Sequence, residues 1–433
     1  MSVASPFALA VWAIVALSLL GLPIGHAMIA SSILYLMLAG QDMSIAAEQL
    51  LNGLYNSYVL LAVPLFLFAA ELMSIGSMSD RLLRFCNALV GRFRGGMAQV
   101  NIVQSVIFAG ISGSAIADVA GTGRVIIDMM TRNGRYTVSF AAAVTAASAV
   151  IGPIIPPSIP MVLYALVSDA SIGYLFLGGI VPGLMMAAAQ MAVIAAQAKR
   201  RNFPVEEAIP VREWPKLTLE AFPALMMPVI LLGGIRIGVT TPTEAAAIAA
   251  AYAYLISLFL YRSITARQTY DAVLSSARST ASIGMLIAGA LAFNYVVTIE
   301  NIPQTVKTML AAYDLTPALF LFAVNVILLV LGCLLEGSTI LLVIVPILVP
   351  TAQGLGIDLV HFGIVVVFNI MIGLVTPPYG LLLFIVSRIS GASFSAVTRD
   401  TLTFVWAMIA ALAIITYIPE TVLWIPRLSG YKG

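Results

Sequence analysis

Charged residues are scarce in this chain. Only 9% of its 433 residues are Asp, Glu, Lys or Arg and 61% are hydrophobic, whereas roughly 25% of a soluble domain is charged. A soluble globule needs polar residues to face water, but a bilayer does not. Five stretches without any charged residue are each long enough for one or two helices of about 20 residues across the hydrocarbon: Phe7 to Gly40, Tyr136 to Val167, Ala170 to Ala198, Ser279 to Thr298 and Leu359 to Ser387. The composition predicts an all-α polytopic membrane protein.

Residues that build soluble active sites are also few. The cysteines, Cys86 and Cys333, and the histidines, His26 and His361, are far apart in sequence. This argues against a disulfide framework, a thiolate metal site or a histidine-based acid–base site. No lysine completes a GxxxxGK[ST] phosphate loop, so ATP binding by that motif is excluded. The net charge of +2, spread over short loops, argues against nucleic acid as a partner.

Lysine and arginine concentrate in short loops, as they do on the cytoplasmic side of membranes. Five loops hold them: residues 81–94, 124–135, 199–216, 262–278 and 388–399. The loop with Asp42 and Glu48 has no basic residue. We therefore expect a multi-pass protein of the bacterial inner membrane with both termini outside. The hydrophobic segments predict about eleven or twelve passages, two of which do not cross.

The two halves of the chain resemble each other. Three short matches recur at a separation of roughly 210–225 residues: Gly21–Gly25 with Gly234–Gly238, Ser112–Ser114 with Glu336–Ser338, and Ile155–Pro157 with Thr376–Pro378. A chance coincidence is the alternative, but the nearly constant offset argues against it. The basic loop at 77–96 matches an expected outside loop at 299–316, which indicates copies of opposite orientation.

These matches predict three parts. Residues 1–200 form a first inverted repeat with scaffold helices, a hairpin and a proline-broken helix, and residues 221–433 form the second. Residues 201–220 form a basic cytoplasmic linker. Inverted repeats with interrupted helices are typical of secondary transporters whose site lies between the repeats.

The first polar interruption lies at residues 110–118 (GISGSAIAD). Small residues in membrane helices either mediate close packing or mark a break. A break is favoured because Asp118 is ionisable within an apolar stretch, and because Arg124 follows too soon for a full crossing. We therefore expect a re-entrant helical hairpin whose tip lies inside the protein, where unpaired carbonyls can be used.

The partner of this hairpin is a proline-rich break at residues 152–160 (GPIIPPSIP). Each proline removes an amide donor and disfavours the helical conformation of the residue before it, so carbonyl oxygens are freed. Na⁺ is a natural ligand for them because hard cations bind carbonyl and hydroxyl oxygens. The candidate ligands are the hydroxyls of Ser112 and Ser114 and the carbonyls of Gly152, Ile155 and Pro157. A purely mechanical kink is the alternative.

The second half repeats this arrangement. A short apolar arm opens at residues 336–339 (EGST), and residues 373–380 (GLVTPPYG) interrupt a later span. The hydroxyls here come from Thr339 and Thr376. N-termini of half-helices carry partial positive charge and free amides, which favours an anionic substrate.

At these residues the chain resembles the large membrane subunit of tripartite ATP-independent periplasmic (TRAP) transporters, the DctM/SiaM-like family. The resemblance spans nearly the whole chain and rests on five stretches: Ser112 to Asp118, Gly152 to Ser158, Thr241 to Ala246, Gly356-Ile357-Asp358 with His361-Phe362-Gly363, and Ile372 to Pro378. It implies an inverted-repeat, elevator-type transporter with two re-entrant helical hairpins and two discontinuous helices. In such a transporter a mobile domain that holds both hairpins slides against a fixed scaffold.

The resemblance also implies Na⁺ as the coupling ion, with one site at each hairpin tip. By motif, the first site falls on Ser112, Ser114, Gly152, Ile155 and Pro157, and the second on Gly337, Thr339, Gly373, Thr376 and Pro378. Two protein partners are implied: a small four-helix membrane subunit (DctQ-like) and a periplasmic substrate-binding protein (DctP-like) that delivers an organic acid.

Three hypotheses follow. The first is a sodium-coupled TRAP-type importer of organic acids. The second is a stand-alone sodium-coupled carboxylate carrier of a related inverted-repeat fold, which would transport without a binding protein. The third is a membrane-embedded enzyme, for which Asp118 and Glu336 are the only candidate groups, on opposite repeats and without a nearby histidine. The third is the weakest because no nucleophile is paired with a base.

Overall fold

The computed structural model describes residues 5–56, 58–75, 78–203, 205, 209–311 and 316–433. Within these ranges the chain is helical and contains no β-strand. The α-helices are α1 (Pro6–Leu19), α2 (Ile24–Leu38), α3 (Ser44–Asn56), α4 (Ala62–Ile75), α5 (Met78–Val90), α6 (Gly96–Ser112), α7 (Ala115–Asp118), α8 (Arg124–Thr131), α9 (Val138–Ala149), α10 (Ile159–Ser168), α11 (Ile172–Arg200), α12 (Trp214–Arg236), α13 (Pro242–Leu255), α14 (Ala266–Ile299), α15 (Ile302–Ala311), α16 (Pro317–Gly332), α17 (Gly337–Thr339), α18 (Val345–Gly354), α19 (Leu359–Gly373), α20 (Leu381–Ser390), α21 (Phe394–Tyr417) and α22 (Glu420–Leu428).

Parts of three expected loops lie outside the described residues. They are residues 204 and 206–208 of the expected linker, and residues 77 and 312–315 of the two matching loops. The last residues of the expected linker belong to α12, which begins at Trp214.

Polar residues begin many of these helices. An uncapped helix start leaves backbone N–H groups without acceptors, and a side-chain oxygen at the preceding position accepts from one of them. Thr137 caps α9 in this way, and Asp358 caps α19 by accepting from two N–H groups at 2.8 and 3.0 Å. Thr241 and Glu244 form a reciprocal capping box at the start of α13. Proline at a first helical position follows several of these caps, where its missing N–H costs nothing.

Helices of the two halves follow one another in the same order. Three pairs of segments begin 221 residues apart: α6 and α16, the π-helical segments Val119–Gly123 and Ile340–Ile344, and α9 and α19. In each half a proline-containing break follows, and a short helix (α10 or α20) and a long helix (α11 or α21) complete the series. The internal duplication is therefore visible in the backbone.

Packing between the halves is reciprocal. Helix α4 packs on α13 while α14, its counterpart, packs on α2. Likewise α9 packs on α21 while α19 packs on α11, and α10 packs on α19 while α20 packs on α9. Reciprocal contacts of this kind are what a two-fold relation between two copies produces. The opposite orientation of the copies in the membrane stays a prediction.

The helices pack in two groups. One group contains α1–α4, α13 and α14, in which α1 packs on α2 and α3 packs on α14. The other contains α6–α11 and α16–α21. In this group α16 packs on α19 and α11 packs on α21. Helix α4 of the first group and helix α12 both contact α6 of the second group. Helix α5 packs on both α12 and α6.

Several helices are suited to a bilayer. Within the described residues, six are long and apolar enough to cross a membrane by length and composition: Ile172–Arg200, Val211–Arg236, Pro242–Leu260, Ala266–Ile299, Gly337–Gly354 and Phe394–Tyr417. The other hydrophobic passages expected from the sequence correspond to apolar helices of 10–17 residues. They are shorter because breaks divide them, as α9 and α10 show on either side of the first proline-rich segment.

A charged cluster joins three helices of the second packing group. Asp400 of α21 is 8% exposed, and one of its carboxylate oxygens accepts from the Arg201 guanidinium at 2.9 Å. The other carboxylate oxygen accepts from the Ser139 hydroxyl of α9 at 2.8 Å. The guanidinium also lies 4.9 Å from the centre of the Phe140 ring. Because Arg201 directly follows α11, the cluster ties α9, α11 and α21 together.

Asp400→Ala should lower stability measurably. The change leaves the Ser139 hydroxyl without its acceptor and Arg201 without its counter-ion, and we expect a loss of about 1–3 kcal/mol. Thermal unfolding of the detergent-purified protein measures it. Glu420→Ala is the matched control, because the Arg427–Glu420 pair has side chains 52% and 61% exposed and exposed pairs contribute little. Equal shifts for the two variants would contradict this account.

Candidate functional site

The first hairpin turns at Gly113. Helix α6 ends at Ser112, and Gly113 adopts a left-handed conformation with φ 59°, which a residue with a Cβ adopts only with strain. Ser114 then caps the returning arm, since its hydroxyl accepts from the Ala117 N–H at 3.4 Å. The returning arm runs without interruption through α7, a π-helical segment and α8. A helical hairpin therefore stands where the sequence predicts one.

The two arms are held together by buried polar side chains. Ser105 of α6 donates to the Asp118 carboxylate of the returning arm at 3.1 Å. Further from the tip, the Asn101 amide lies 3.7 Å from the Met130 sulfur. The arms are therefore antiparallel. How the hairpin lies in the bilayer is not fixed by these contacts, so re-entry stays a prediction.

The first break frees carbonyls for a simple reason. In a helix each carbonyl accepts from the N–H four residues later, but the fourth residue after Gly152 is Pro156, which has none. The Met161 N–H, which would serve Pro157, donates instead to the Ser158 hydroxyl at 3.2 Å. Across the described chain no backbone N–H donates to the carbonyls of Gly152, Ile155 or Pro157. The Pro156–Pro157 peptide bond is cis.

The hairpin tip covers this break. A Cβ built on Gly113 would overlap the Pro157 carbonyl oxygen. One built on Gly152 would lie 3.9 Å from the Ser114 carbonyl oxygen. The backbone of the tip and the backbone of the break are therefore in direct contact.

The Ser112 hydroxyl faces no partner at this contact. Ser112 is 2% exposed, and its hydroxyl has no hydrogen-bond partner in the described structure. A buried hydroxyl without a partner is costly, and a bound ion or water would satisfy it. The structure thus brings four of the expected ligand residues together, and the fifth, Ile155, lies half-buried in the same break. The four are Ser112, Ser114, Gly152 and Pro157.

The second tip is capped by a carboxylate. Glu336 accepts from the Thr339 N–H at 3.2 Å and from the Ser338 hydroxyl at 2.9 Å, and α17 follows it. Ser114 and Glu336 therefore occupy equivalent capping positions in the two halves. The sequence match of Ser112–Ser114 with Glu336–Ser338 is displaced from this pairing by two residues, because the turns at the two tips differ in length.

Contacts between the second tip and α19 run through glycines. A Cβ built on Gly332 would lie 3.2 Å from the Gly373 Cα, and one built on Gly337 would lie 2.7 Å from the Ile370 Cγ2. Thr339 is buried and belongs to the same tip. The structure therefore places Gly337, Thr339 and Gly373 at one end of α19.

The second break is more open than the first. The Gly373 carbonyl accepts from the Thr376 N–H at 3.1 Å, and the Thr376 hydroxyl donates to the Ile372 carbonyl at 2.7 Å. Thr376 is half-buried and Pro378 is exposed, whereas residues 156–159 of the first break are all buried. Thr376 and Pro378 thus lie in the accessible part of their site.

One buried network near the second tip was not anticipated from the sequence. The Asn369 amide of α19 donates to the Asn325 side-chain oxygen at 2.8 Å, and the Asn325 amide donates to the Thr416 hydroxyl at 2.9 Å. The network links α16, α19 and α21 behind the tip. Its signal in the sequence is an asparagine inside each of two apolar helices, since polar residues in membrane helices bond across helices.

The donor set suits a hard monovalent cation. Within the described residues no group of three or more His, Cys, Asp or Glu side chains could hold a metal ion. Both tips instead present hydroxyl and carbonyl oxygens, which suit alkali and alkaline-earth cations and not the softer transition metals. The orphaned Ser112 hydroxyl and the unpaired carbonyls beside it fit Na⁺ at the first tip.

Gly113→Ala should disrupt the tip far more than an ordinary glycine substitution. The new Cβ would overlap the Pro157 carbonyl, and the left-handed backbone adds a strain of about 1 kcal/mol. Gly391→Ala is the matched control, because Gly391 has φ 73° but nothing within 4 Å of a built Cβ. Thermal unfolding should show a larger loss for Gly113→Ala. Equal losses of thermal stability would show that the tip and the break are not in close contact.

Known proteins resemble this chain over nearly its whole length. Residues 11–421 match the family model of the tripartite ATP-independent periplasmic transporter, DctM component. The sialic acid TRAP transporter large permease protein SiaM of Vibrio cholerae is 39% identical over 95% of this chain and 96% of its own. The C4-dicarboxylate TRAP transporter large permease protein DctM of Pseudomonas aeruginosa is 40% identical over 86% of this chain and 87% of its own.

A solved structure supports the fold alone. The YdaH transporter of Alcanivorax borkumensis superposes with a TM-score of 0.63 over 98% of both chains, at 13% sequence identity. The resemblance seen in the sequence is confirmed by the family model and the relatives, and these relatives are permeases, which rules out the enzyme hypothesis. This multi-pass membrane chain belongs to the DctM component family of tripartite ATP-independent periplasmic transporters.

Proposed function

We propose that this chain imports an organic acid across the bacterial inner membrane by sodium-coupled symport and an elevator movement. The observation that carries the proposal is the contact between the first tip and the first break. There the partnerless Ser112 hydroxyl belongs to the residue before Gly113, which contacts the Pro157 carbonyl. No backbone N–H of the described chain donates to that carbonyl or to those of Gly152 and Ile155. A dehydrated cation satisfies such oxygens without a fixed negative charge.

The second tip supplies the second sodium site in this proposal. Thr339 and Thr376 offer hydroxyl oxygens, and Gly337, Gly373 and Pro378 offer carbonyls. The Thr376 hydroxyl already donates its proton to Ile372, so its lone pairs are free to face a cation. The greater exposure of this break gives an ion direct access to it.

The substrate class follows from the same geometry and from the relatives. The returning arm of the first hairpin begins a helical segment at the tip, where partial positive charge favours an anion, whereas the Glu336 carboxylate occupies the corresponding end of the second arm. The relatives at 39% and 40% identity are named for sialic acid and for C4-dicarboxylates, which are both carboxylates. An organic acid bound between the two tips is therefore the proposed substrate.

The energetics of sodium coupling are sufficient for accumulation. A tenfold sodium gradient supplies about 1.4 kcal/mol per ion. Two sodium ions with a dianion move no net charge, so about 2.8 kcal/mol remains, or roughly a hundredfold accumulation. A monoanion leaves one positive charge to move, which adds about 2.3 kcal/mol at 100 mV.

Two protein partners complete the proposed transporter. A small four-helix membrane subunit would extend the scaffold, and a periplasmic binding protein would deliver the substrate. The family is described as tripartite, which supports a three-part assembly. A stand-alone carrier of the same fold is the competing function, and it differs by needing no binding protein.

Uptake into liposomes tests the coupling and the partners together. We expect uptake only with external Na⁺ and with the cognate binding protein present. Ser112→Ala should raise the Na⁺ concentration for half-maximal uptake by roughly five- to thirty-fold, because one lost ligand is worth about 1–2 kcal/mol. Thr298→Ala is the control, since its exposed hydroxyl bonds a carbonyl of its own helix at 2.7 Å.

The outcomes separate the competing functions. Full uptake in K⁺ buffer without Na⁺ would reject sodium coupling. Sodium-dependent uptake without any binding protein would favour the stand-alone carrier.

The elevator movement has a structural boundary at which it can be tested. A cavity of about 630 Å³ lies between the start of α11 and the end of α12, with Gly173 and Ile235 in its lining. A Cβ built on Gly173 would lie 3.1 Å from the Ile235 Cγ2. Helices α11 and α12 belong on opposite sides of the proposed sliding boundary, so this pair spans it.

A disulfide between Gly173→Cys and Ile235→Cys should therefore arrest uptake, and a reductant should restore it. The separation is compatible with disulfide geometry. The control joins Gly178→Cys to Val360→Cys, where a built Cβ lies 3.3 Å from the Val360 Cγ1 inside one packing group. That cross-link should leave uptake intact. Unchanged uptake by the protein in which the first cysteine pair is fully cross-linked would reject sliding at this boundary.

A further inference from the structure

The Asp118 carboxylate is buried without a charged partner. It is 5% exposed and lies in the returning arm of the first hairpin. It accepts from the Ser105 hydroxyl at 3.1 Å, and the Thr122 hydroxyl is shared between its carboxylate at 3.3 Å and its backbone carbonyl at 3.2 Å. No lysine, arginine or histidine in the described part of the chain pairs with it. A buried carboxylate is strongly unfavourable unless a positive charge accompanies it or a proton neutralises it.

Further oxygens surround the same place. Thr145 and Ser148 of α9 and Asn101 of α6 lie around Asp118, and the space between them is too small for a water molecule. The Asn101 amide donates to the Thr145 hydroxyl at 2.8 Å, and the Ser148 hydroxyl donates to the Asn101 side-chain oxygen at 3.0 Å. A bare Na⁺ is smaller than water, and carboxylate, hydroxyl and amide oxygens are ligands that hard cations prefer.

The second half of the chain carries apolar residues at three of these positions. Positions 221 residues later occupy the same places in α16, the second π-helical segment and α19. The counterparts of Ser105, Thr122 and Thr145 are Val326, Val343 and Val366. Val366 is fully buried and Val343 half-buried, whereas Val326 is 45% exposed. The counterpart of Ser148 is Asn369, which bonds to Asn325, so the second copy keeps a polar contact between these helices but has no carboxylate at the position of Asp118.

We propose that Asp118, Ser105, Thr122, Asn101 and Thr145 form an additional sodium site between the first hairpin and α9. It lies one helical turn beyond Ser114 and is separate from the site at the tip. The ion neutralises the Asp118 carboxylate, and the hydroxyls turn their lone pairs toward it. The choice of Na⁺ rests on the proposed function, in which Na⁺ is the coupling ion.

Equilibrium binding of radioactive sodium to the purified full-length chain tests the site. Asp118→Asn keeps the size of the side chain but removes its charge, and we expect one fewer bound ion per chain than in the unaltered protein. Thr145→Val copies the residue of the second half and keeps Asp118. It should weaken one class of sodium sites by roughly five- to thirty-fold.

The outcomes distinguish this site from the tip. Asp118→Asn with undiminished sodium binding would overturn the proposal, since a proton would then neutralise the carboxyl group. If Asp118→Asn does not fold, unchanged binding by Thr145→Val overturns it instead. Ser112→Ala reports on the tip alone, so loss of binding there but not in the Asp118 and Thr145 variants leaves the proposed function intact and rejects the additional site.

Discussion

Unpaired backbone carbonyls are the constraint on which this structure depends. Prolines in both breaks remove the N–H groups that would serve a continuous helix, and lipid offers no substitute. Such a break survives only where protein covers it or where it lines a water-filled cavity. The tip at Gly113 covers the Pro157 carbonyl so closely that a single Cβ would not fit. The hairpins are therefore needed by the broken helices as much as by any ion.

Duplication meets this constraint twice, but with different surroundings. The first break is buried along almost its whole length, whereas Pro378 and Tyr379 leave the second exposed. The caps differ as well, because Ser114 offers a hydroxyl where Glu336 offers a carboxylate. The two proposed sites share one backbone plan but differ in access and in charge.

The sequence predicted the breaks and the hairpins because glycine and proline act on the backbone locally. It could not set the register between the tips, because the turns around Gly113 and before Glu336 differ in length and only their caps show the equivalence. It also missed the Asn325–Asn369 bond, which joins residues 44 positions apart on different helices. Contacts of that kind depend on tertiary packing, which no local pattern records.

Asp118 and its counterpart show how far two copies can diverge without losing their fold. The residue 221 positions later is Thr339, so one hairpin carries a carboxylate where the other carries a hydroxyl. A carboxylate that moves with a domain and returns with it carries no net charge across the membrane in a full cycle, but each half of the movement changes its energy by up to about 2.3 kcal/mol per 100 mV. The proposed sodium ion beside it would remove that voltage dependence from both halves. The net electrical drive for uptake then depends only on the ions that are released inside and on the charge of the substrate.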